Sequence, residues 1–183
     1  MRKYYPDLMV DIETLGNGPT SLILQIGACY FDRKTGDIGA DFRQNIDIND
    51  SLDFGFKVDG PTIAFWLKQD TKNFLINAKD VLTVLGNFKS FASRCKFAWA
   101  HATFDFPILT NAYNALGLEL PFHYRKMRDL RTLVDLSNLD LNNWSSTNID
   151  LGFLKHDALA DCLYQIRYAT ECFQLLKEKE KSK

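Results

Sequence analysis

Within its first 48 residues the chain carries three strand-like runs in succession, and the first of them ends in two acids. Leu8-Met-Val-Asp-Ile-Glu13 is apolar except for Asp11 and Glu13, which stand two apart. On a strand that spacing puts both carboxylates on one face. Leu22 to Phe31 predicts a second buried strand, Lys34-Thr-Gly-Asp37 a turn, and Ile38 to Ile48 a third strand. Such short connections join antiparallel neighbours, so a meander is the frame on which the rest of the chain must pack.

Helical periods follow. Thr62 to Gln69 opens just after Pro61, and Asp80 to Cys95 sets Val81, Leu82, Leu85, Phe88 and Ala92 at helical spacing. Lys96 to His101 predicts a short apolar strand, and Phe106 to Leu116 a helix stopped by Gly117. Another short helix is expected over residues 128–136, a loop rich in Asn and Ser from Ser137 to Asn148, and a long helix from Asp157 to Lys177. The expected fold is α/β, a mixed central sheet of antiparallel meander plus parallel strands, flanked by helices. One domain, residues 1–177, accounts for the 183-residue chain, leaving 178–183 as a charged C-terminal tail.

Composition narrows the class. Fourteen Phe, seven Tyr and three Trp can fill a sizeable core without a disulfide framework. Cys29, Cys95, Cys162 and Cys172 are scattered, with no CxxC pair to suggest zinc or redox work. Cys162 and Cys172 would lie roughly 15 Å apart on one helix, too far for a disulfide, so a reducing cytoplasm, a host's if the chain is phage-encoded, is the expected compartment. Asp7 and Asp11 interrupt any signal-like start, and no run approaches the ~20 apolar residues of a membrane span, so no membrane partner is expected. The formal net charge of −1 does not advertise a polyanion. A phosphate chain would have to be held by bound cations and a few local Arg or Lys.

Three acidic signals could hold such cations. Asp11 and Glu13 offer the clustered oxygens that hard divalent ions prefer, although Asp-x-Glu also arises by chance. Asp105, between Phe104 and Phe106 just past a predicted strand, can be a helix N-cap, a site residue or both. In His156-Asp-Ala-Leu-Ala-Asp161, five helical steps turn about 140°, which would aim His156 and Asp161 apart. With His156 on the loop before the helix, it can fold back over Asp161. The segment 137–155 that leads into His156 is expected to be mobile in the free protein and to order over substrate. Asp129, at a predicted helix start, reads as a cap.

In order and surroundings these stretches resemble the three motifs of the DEDDh 3′→5′ exonuclease superfamily, which has a ribonuclease-H-like fold. The supporting residues are Val10-Asp-Ile-Glu-Thr-Leu-Gly16, Phe104-Asp-Phe-Pro-Ile-Leu109, Arg128-Asp-Leu-Arg-Thr132 and His156 to Cys162, so the likeness runs from about Met9 to Tyr168. It is strongest to the ribonuclease-T-like branch and to phage exonuclease A proteins. The tyrosine subclass has Tyr four residues before the last Asp, where this chain has Asp157, so the histidine subclass is the match.

By that resemblance Asp11, Glu13, Asp105 and Asp161 bind two divalent cations, Mg²⁺ or Mn²⁺, and His156 is the general base. Nucleoside 5′-monophosphates would leave the 3′ end of a nucleic acid. Single-stranded DNA is the favoured substrate, and RNA or short oligonucleotides are the alternative; a non-catalytic nucleic-acid-binding domain is the remote one. Thr14 and Leu15 would approach the terminal nucleotide, partly through backbone amides, with His101 and Phe104 also in contact. Many relatives carry Asn near the position of His101, and ribonuclease T proteins have a stacking aromatic where this chain has Asn17, so stacking is not carried over there. Phe54, Phe56, Trp66 and Phe104 are possible stacking platforms, with core packing the safer expectation. Arg128 and Arg131, three apart on an expected helix, would share a face and could bracket successive phosphates.

Overall fold

The computed structural model describes residues 3–69, 71–148 and 156–181. Strand β1 (Asp7–Thr14) pairs antiparallel with β2 (Ile23–Phe31), which pairs antiparallel with β3 (Ile38–Asn45). Three helices follow on that side, α1 (Ile48–Asp53), α2 (Gly60–Trp66) and the short α3 (Lys72–Leu75), then α4 (Val81–Ala92). Strand β4 (Phe97–Ala100) lies parallel to β1 on its other edge, and α5 (Asp105–Ala115) follows directly. Strand β5 (Met127–Asp129) adds a parallel outer edge, then come α6 (Leu130–Ser137), α7 (Leu141–Asn148) and α8 (Ala158–Lys181). The sheet order is β3-β2-β1-β4-β5, the mixed sheet expected from the sequence. No described helix is long and apolar enough to cross a membrane.

Alternation along β1 explains where the site must sit. Leu8, Val10 and Ile12 face one core, shared with Val84, Leu85, Phe88, Ile108 and Leu109 of α4 and α5. Met9 faces the other, with Trp99, Leu133 of α6, and Cys162, Ile166 and Ala169 of α8. Each fully buried large side chain contributes about 1.5–3 kcal/mol, so both faces are firmly covered. Asp7, Asp11 and Glu13 share the parity of Met9, so three acids of one strand point to the α8 side. At Gly27 of β2, a Cβ would lie 2.3 Å from the Ala158 carbonyl carbon. Glycine is thus what lets the start of α8 rest directly on the sheet, opposite Asp11, with which Gly27 pairs.

Several expectations need correction. The third strand stops at Asn45 rather than Ile48, because Asp47 caps α1 by accepting the Asp50 N–H at 2.9 Å. The stretch from Ser137 to Asn148 is not a loop. Asn138 ends α6 in the left-handed region (φ 61°), and residues 141–148 then form α7. Of the segment expected to move over substrate, residues 149–155 lie outside the described residues. The expected helix over 128–136 begins only at Leu130, since Met127 to Asp129 pair with β4. Finally, α8 continues through the predicted tail to Lys181.

Candidate metal centre

Asp11 and Glu13 lie at the C-terminal end of β1, where α5 and α8 both begin. Asp105 is the first residue of α5; its Oδ1 accepts the Ile12 N–H at 3.3 Å, which ties it to β1. Its Oδ2 is buried and has no hydrogen-bond partner among the described residues. Asp161 sits in the first turn of α8. Together with His101, Phe104 and His156 these four acids line one cavity of about 390 Å³.

The carboxylates fall into two groups. One ligand atom from each of Asp11, Asp105 and His101 can lie within 4.8 Å of the others, and the same holds for Glu13, Asp161 and His156. No Lys or Arg pairs with any of the four acids among the described residues. Their electrostatics follow from that. Burial, then the charges of Asp105, Glu13 and Asp161, push the Asp11 carboxyl well above the usual range. Burial and the neighbouring Asp161 and Asp157 push Glu13 up to about 8, and burial pushes Asp105 up to about 7 despite the Ile12 N–H. Asp161 is raised by burial, with His156 opposing. His101 is lowered by burial and by Arg131. Hard oxygen donors crowded without a countercharge, one of them orphaned, fit divalent cations.

His156 is not helical. With φ at 62° it precedes α8, and its ring stands edge-on to Phe65 and Trp66, with centroids 5.0 and 5.7 Å away. This is the loop placement that lets it reach Asp161. The next residue, Asp157, caps α8 by accepting the Ala160 N–H at 3.1 Å and forms an ion pair with Arg43, whose Nε lies 2.9 Å from Oδ2. Gln25, wholly buried in β2, accepts the Ala158 N–H at 2.7 Å. Gln165 donates to Asp11 Oδ1 at 2.7 Å, and Trp66 Nε1 donates to the Thr14 carbonyl at 2.8 Å.

Sequence reasoning missed these supports. Gln165 could have been found, since it lies one helical turn beyond Asp161 on the same face. Gln25 and Arg43 carried no local signal, because their partners stand far along the chain, at Ala158 and Asp157.

The remaining expected contacts divide. Thr14 and Phe104 line a cavity of about 280 Å³ that adjoins the acids through Ile12 and Glu13. Leu15 lines neither of the cavities beside the acids, and its N–H is bonded to the Leu22 carbonyl, so that amide is already committed. Trp66 and Phe56 are buried, as core packing required. Arg131 shares a third cavity with His101 and Tyr168, and donates to Thr103 Oγ1 at 3.3 Å. Arg128 does not share a helix face with it. It belongs to β5, where its guanidinium lies over Phe97 and donates to the carbonyls of Arg125 and Met127. Asp129 is the α6 cap, taking the Thr132 N–H at 2.9 Å, and it also accepts the Ala102 N–H.

A search of curated protein sequences finds no match. Solved structures do match. The zinc-bound form of E. coli exonuclease I with single-stranded DNA aligns at a TM-score of 0.70 and 16% identity, over 92% of this chain and 40% of that one. The E. coli exonuclease I complex with a dT13 oligonucleotide gives 0.68 and 15%, over 90% and 40%. The nuclease domain of 3′hExo, a DEDDh family member bound to rAMP, gives 0.67 and 16%, over 95% and 94%. This chain therefore spans about two fifths of the exonuclease I chains and nearly all of the 3′hExo nuclease domain, and at such identities the likeness is one of fold. The family described as the 3′-5′ exoribonuclease Rv2179c-like domain matches residues 6–173. The chain belongs to that family.

Proposed function

We propose that this protein is a metal-dependent 3′→5′ exonuclease that releases nucleoside 5′-monophosphates from a single-stranded 3′ end, with RNA as its substrate class. The observation that carries the reading is the set of four carboxylates with no Lys or Arg partner among the described residues, around one cavity with His156 at its edge. Asp11, Asp105, Glu13 and Asp161 would hold two divalent cations, with Gln165 fixing the Asp11 carboxylate. Two such ions supply charge stabilisation for the attacking and leaving oxygens of an in-line displacement. His156 takes the proton of the attacking water, from a ring held by Phe65 and Trp66. Thr14, Phe104 and His101 bound the space for the terminal nucleotide, and Arg131 lies where a phosphate would pass.

RNA is preferred over the DNA favoured from sequence alone because the family carries the description of an exoribonuclease. Single-stranded DNA is the second reading. It is the ligand of the exonuclease I complexes that share this fold, and it would suit an affinity with phage exonuclease A proteins. The four described cysteines are free and buried, in keeping with a reducing compartment.

Digestion of RNA and DNA oligomers labelled at either end, with Mg²⁺, Mn²⁺ or EDTA, tests the proposal. The expected result is a 5′-labelled RNA ladder shortening one nucleotide at a time, metal-dependent and faster than DNA. Internal cuts, or release that begins at the 5′ end, would refute it.

A further inference from the structure

A groove of about 770 Å³ lies outside the carboxylate site, between α5 and the segment that leads into β5. It begins at Ala102 and Phe106, beside Asp105, and runs along α5 past Asn111 and Asn114. Phe106 and Phe122 form an apolar floor, their rings edge-on at 5.7 Å. On the far wall the rings of His123 and Tyr124 lie 4.1 Å apart, and Tyr124 is 64% exposed, a large aromatic left open to solvent. Arg125 lies over the Tyr124 ring at 5.8 Å.

Just beyond the groove the molecule is basic. Lys126 donates to the Cys95 carbonyl at 2.9 Å, which brings residues 125–128 against the turn that carries Arg94 and Lys96. Lys96 and Arg128 both lie over the Phe97 ring. None of Arg94, Lys96, Arg125, Lys126 and Arg128 forms an ion pair among the described residues. Five unpaired cations on two touching segments are a strong local charge in a chain of net charge −1. The one acid lining the groove, Glu119, faces Lys89 at 3.5 Å.

We propose that this groove binds the body of a single-stranded nucleic acid whose 3′ end lies in the carboxylate site. Bases stack on Tyr124 and His123, the side-chain amides of Asn111 and Asn114 meet base edges, and phosphates follow the cations from Arg125 toward Lys96. Exposed aromatics interleaved with cations are how single strands are held without sequence preference. Arg128, which lies on β5 and not on a helix face with Arg131, gains a place at the far end of this path. The proposal rests on the exonuclease reading for the polarity of the strand, but the groove can be tested without turnover.

The test compares wild type with Tyr124→Ala and with the double variant Arg125→Ala/Lys126→Ala, none of which touches the carboxylate site. Binding of a 5′-fluorescent RNA 12-mer and of a dinucleotide is measured in Ca²⁺ over a range of salt, and KM for both in Mg²⁺. Tyr124→Ala should weaken 12-mer binding at least about fivefold, the low end of the range for loss of one stacked base. The double variant should lower the salt slope by about 0.7 for each phosphate that is no longer neutralised. The dinucleotide should be handled as by wild type. A 12-mer affinity and salt slope unchanged in both variants would overturn the proposal, and so would equal losses for 12-mer and dinucleotide. If no oligomer is degraded but the 12-mer binding losses appear, the exonuclease reading fails and the groove stands.

Discussion

Strand β1 carries an acid near each end of the same face, and the two ends have opposite surroundings. At the start, Asp7 is 1% exposed and fully partnered, forming a two-pronged pair with Arg33 and accepting Trp99 Nε1 at 2.8 Å. Arg33 is itself held against Phe97, Trp99 and Phe173. At the other end, Asp11 and Glu13 meet Asp105 and Asp161 and no cationic side chain among the described residues. A buried acid with its own cation is finished as structure. Buried acids that face one another are stable as anions only if charge comes from outside the chain. Burial alone does not mark the site; burial without a countercharge does.

Substitution of one acid at each end is the sharpest way to break this contrast. Asp105→Asn keeps the acceptor for Ile12 N–H but removes a charge from the cluster. It should cut turnover at least ~10³-fold, since metal-borne charge stabilisation is worth several kcal/mol at about 1.36 kcal/mol per factor of ten. Its melting temperature without metal should be equal to wild type or higher. Asp7→Asn should do the reverse. It leaves Arg33 without its carboxylate, and after discounting for the 27% exposure of the Arg33 side chain the cost is about 2–3 kcal/mol of stability. Turnover per folded molecule should stay near wild type. Steady-state kinetics and thermal melts of both variants check the pair.

His156→Ala should lower kcat by roughly 10²–10⁴ while leaving cation binding in place. The distinguishing observation is a manganese affinity within a few-fold of wild type. A loss of affinity as large as that of Asp105→Asn would make His156 a ligand instead of a base.

A smaller effect separates the two ends by pH. Folding raises the Asp11, Glu13, Asp105 and Asp161 carboxyls, so the folded state binds more protons than the unfolded chain above the ordinary carboxylate range. The stability this contributes is fully present below the unfolded values of about 4. It is lost as pH rises through about 7 for Asp105 and about 8 for Glu13. Metal-free protein should therefore unfold at lower denaturant at about pH 8.5 than at about pH 6, and Asp105→Asn should reduce the slope.

How much of this could be read from the chain differs between the same regions. The meander, and Asp11 and Glu13 on one face, follow from period-two alternation along β1, which is local information. Asp105 and His156 were legible as motif residues, but their geometry depends on where helices start. Asp105 heads α5 without a side-chain cap bond at the helix N-cap, and His156 adopts a positive φ that no propensity foretells. Helix α7 was missed because its Asn and Ser content favours a loop, while packing of Trp144 against Tyr164 and Tyr168 lies outside any local window. The Arg43–Asp157 and Gln25–Ala158 contacts were invisible for the same reason. Arg128 was misplaced because a three-residue strand is too short to show a period.

Whether the uncompensated acids are a cation site is decided by calorimetric titration with Mn²⁺ near neutral pH, on wild type, Asp7→Asn and Asp105→Asn. Wild type and Asp7→Asn should bind two ions per chain and release protons as the raised carboxyls ionise, and Asp105→Asn should lose at least one ion. Binding without proton release, or equal binding by Asp105→Asn and wild type, would contradict it.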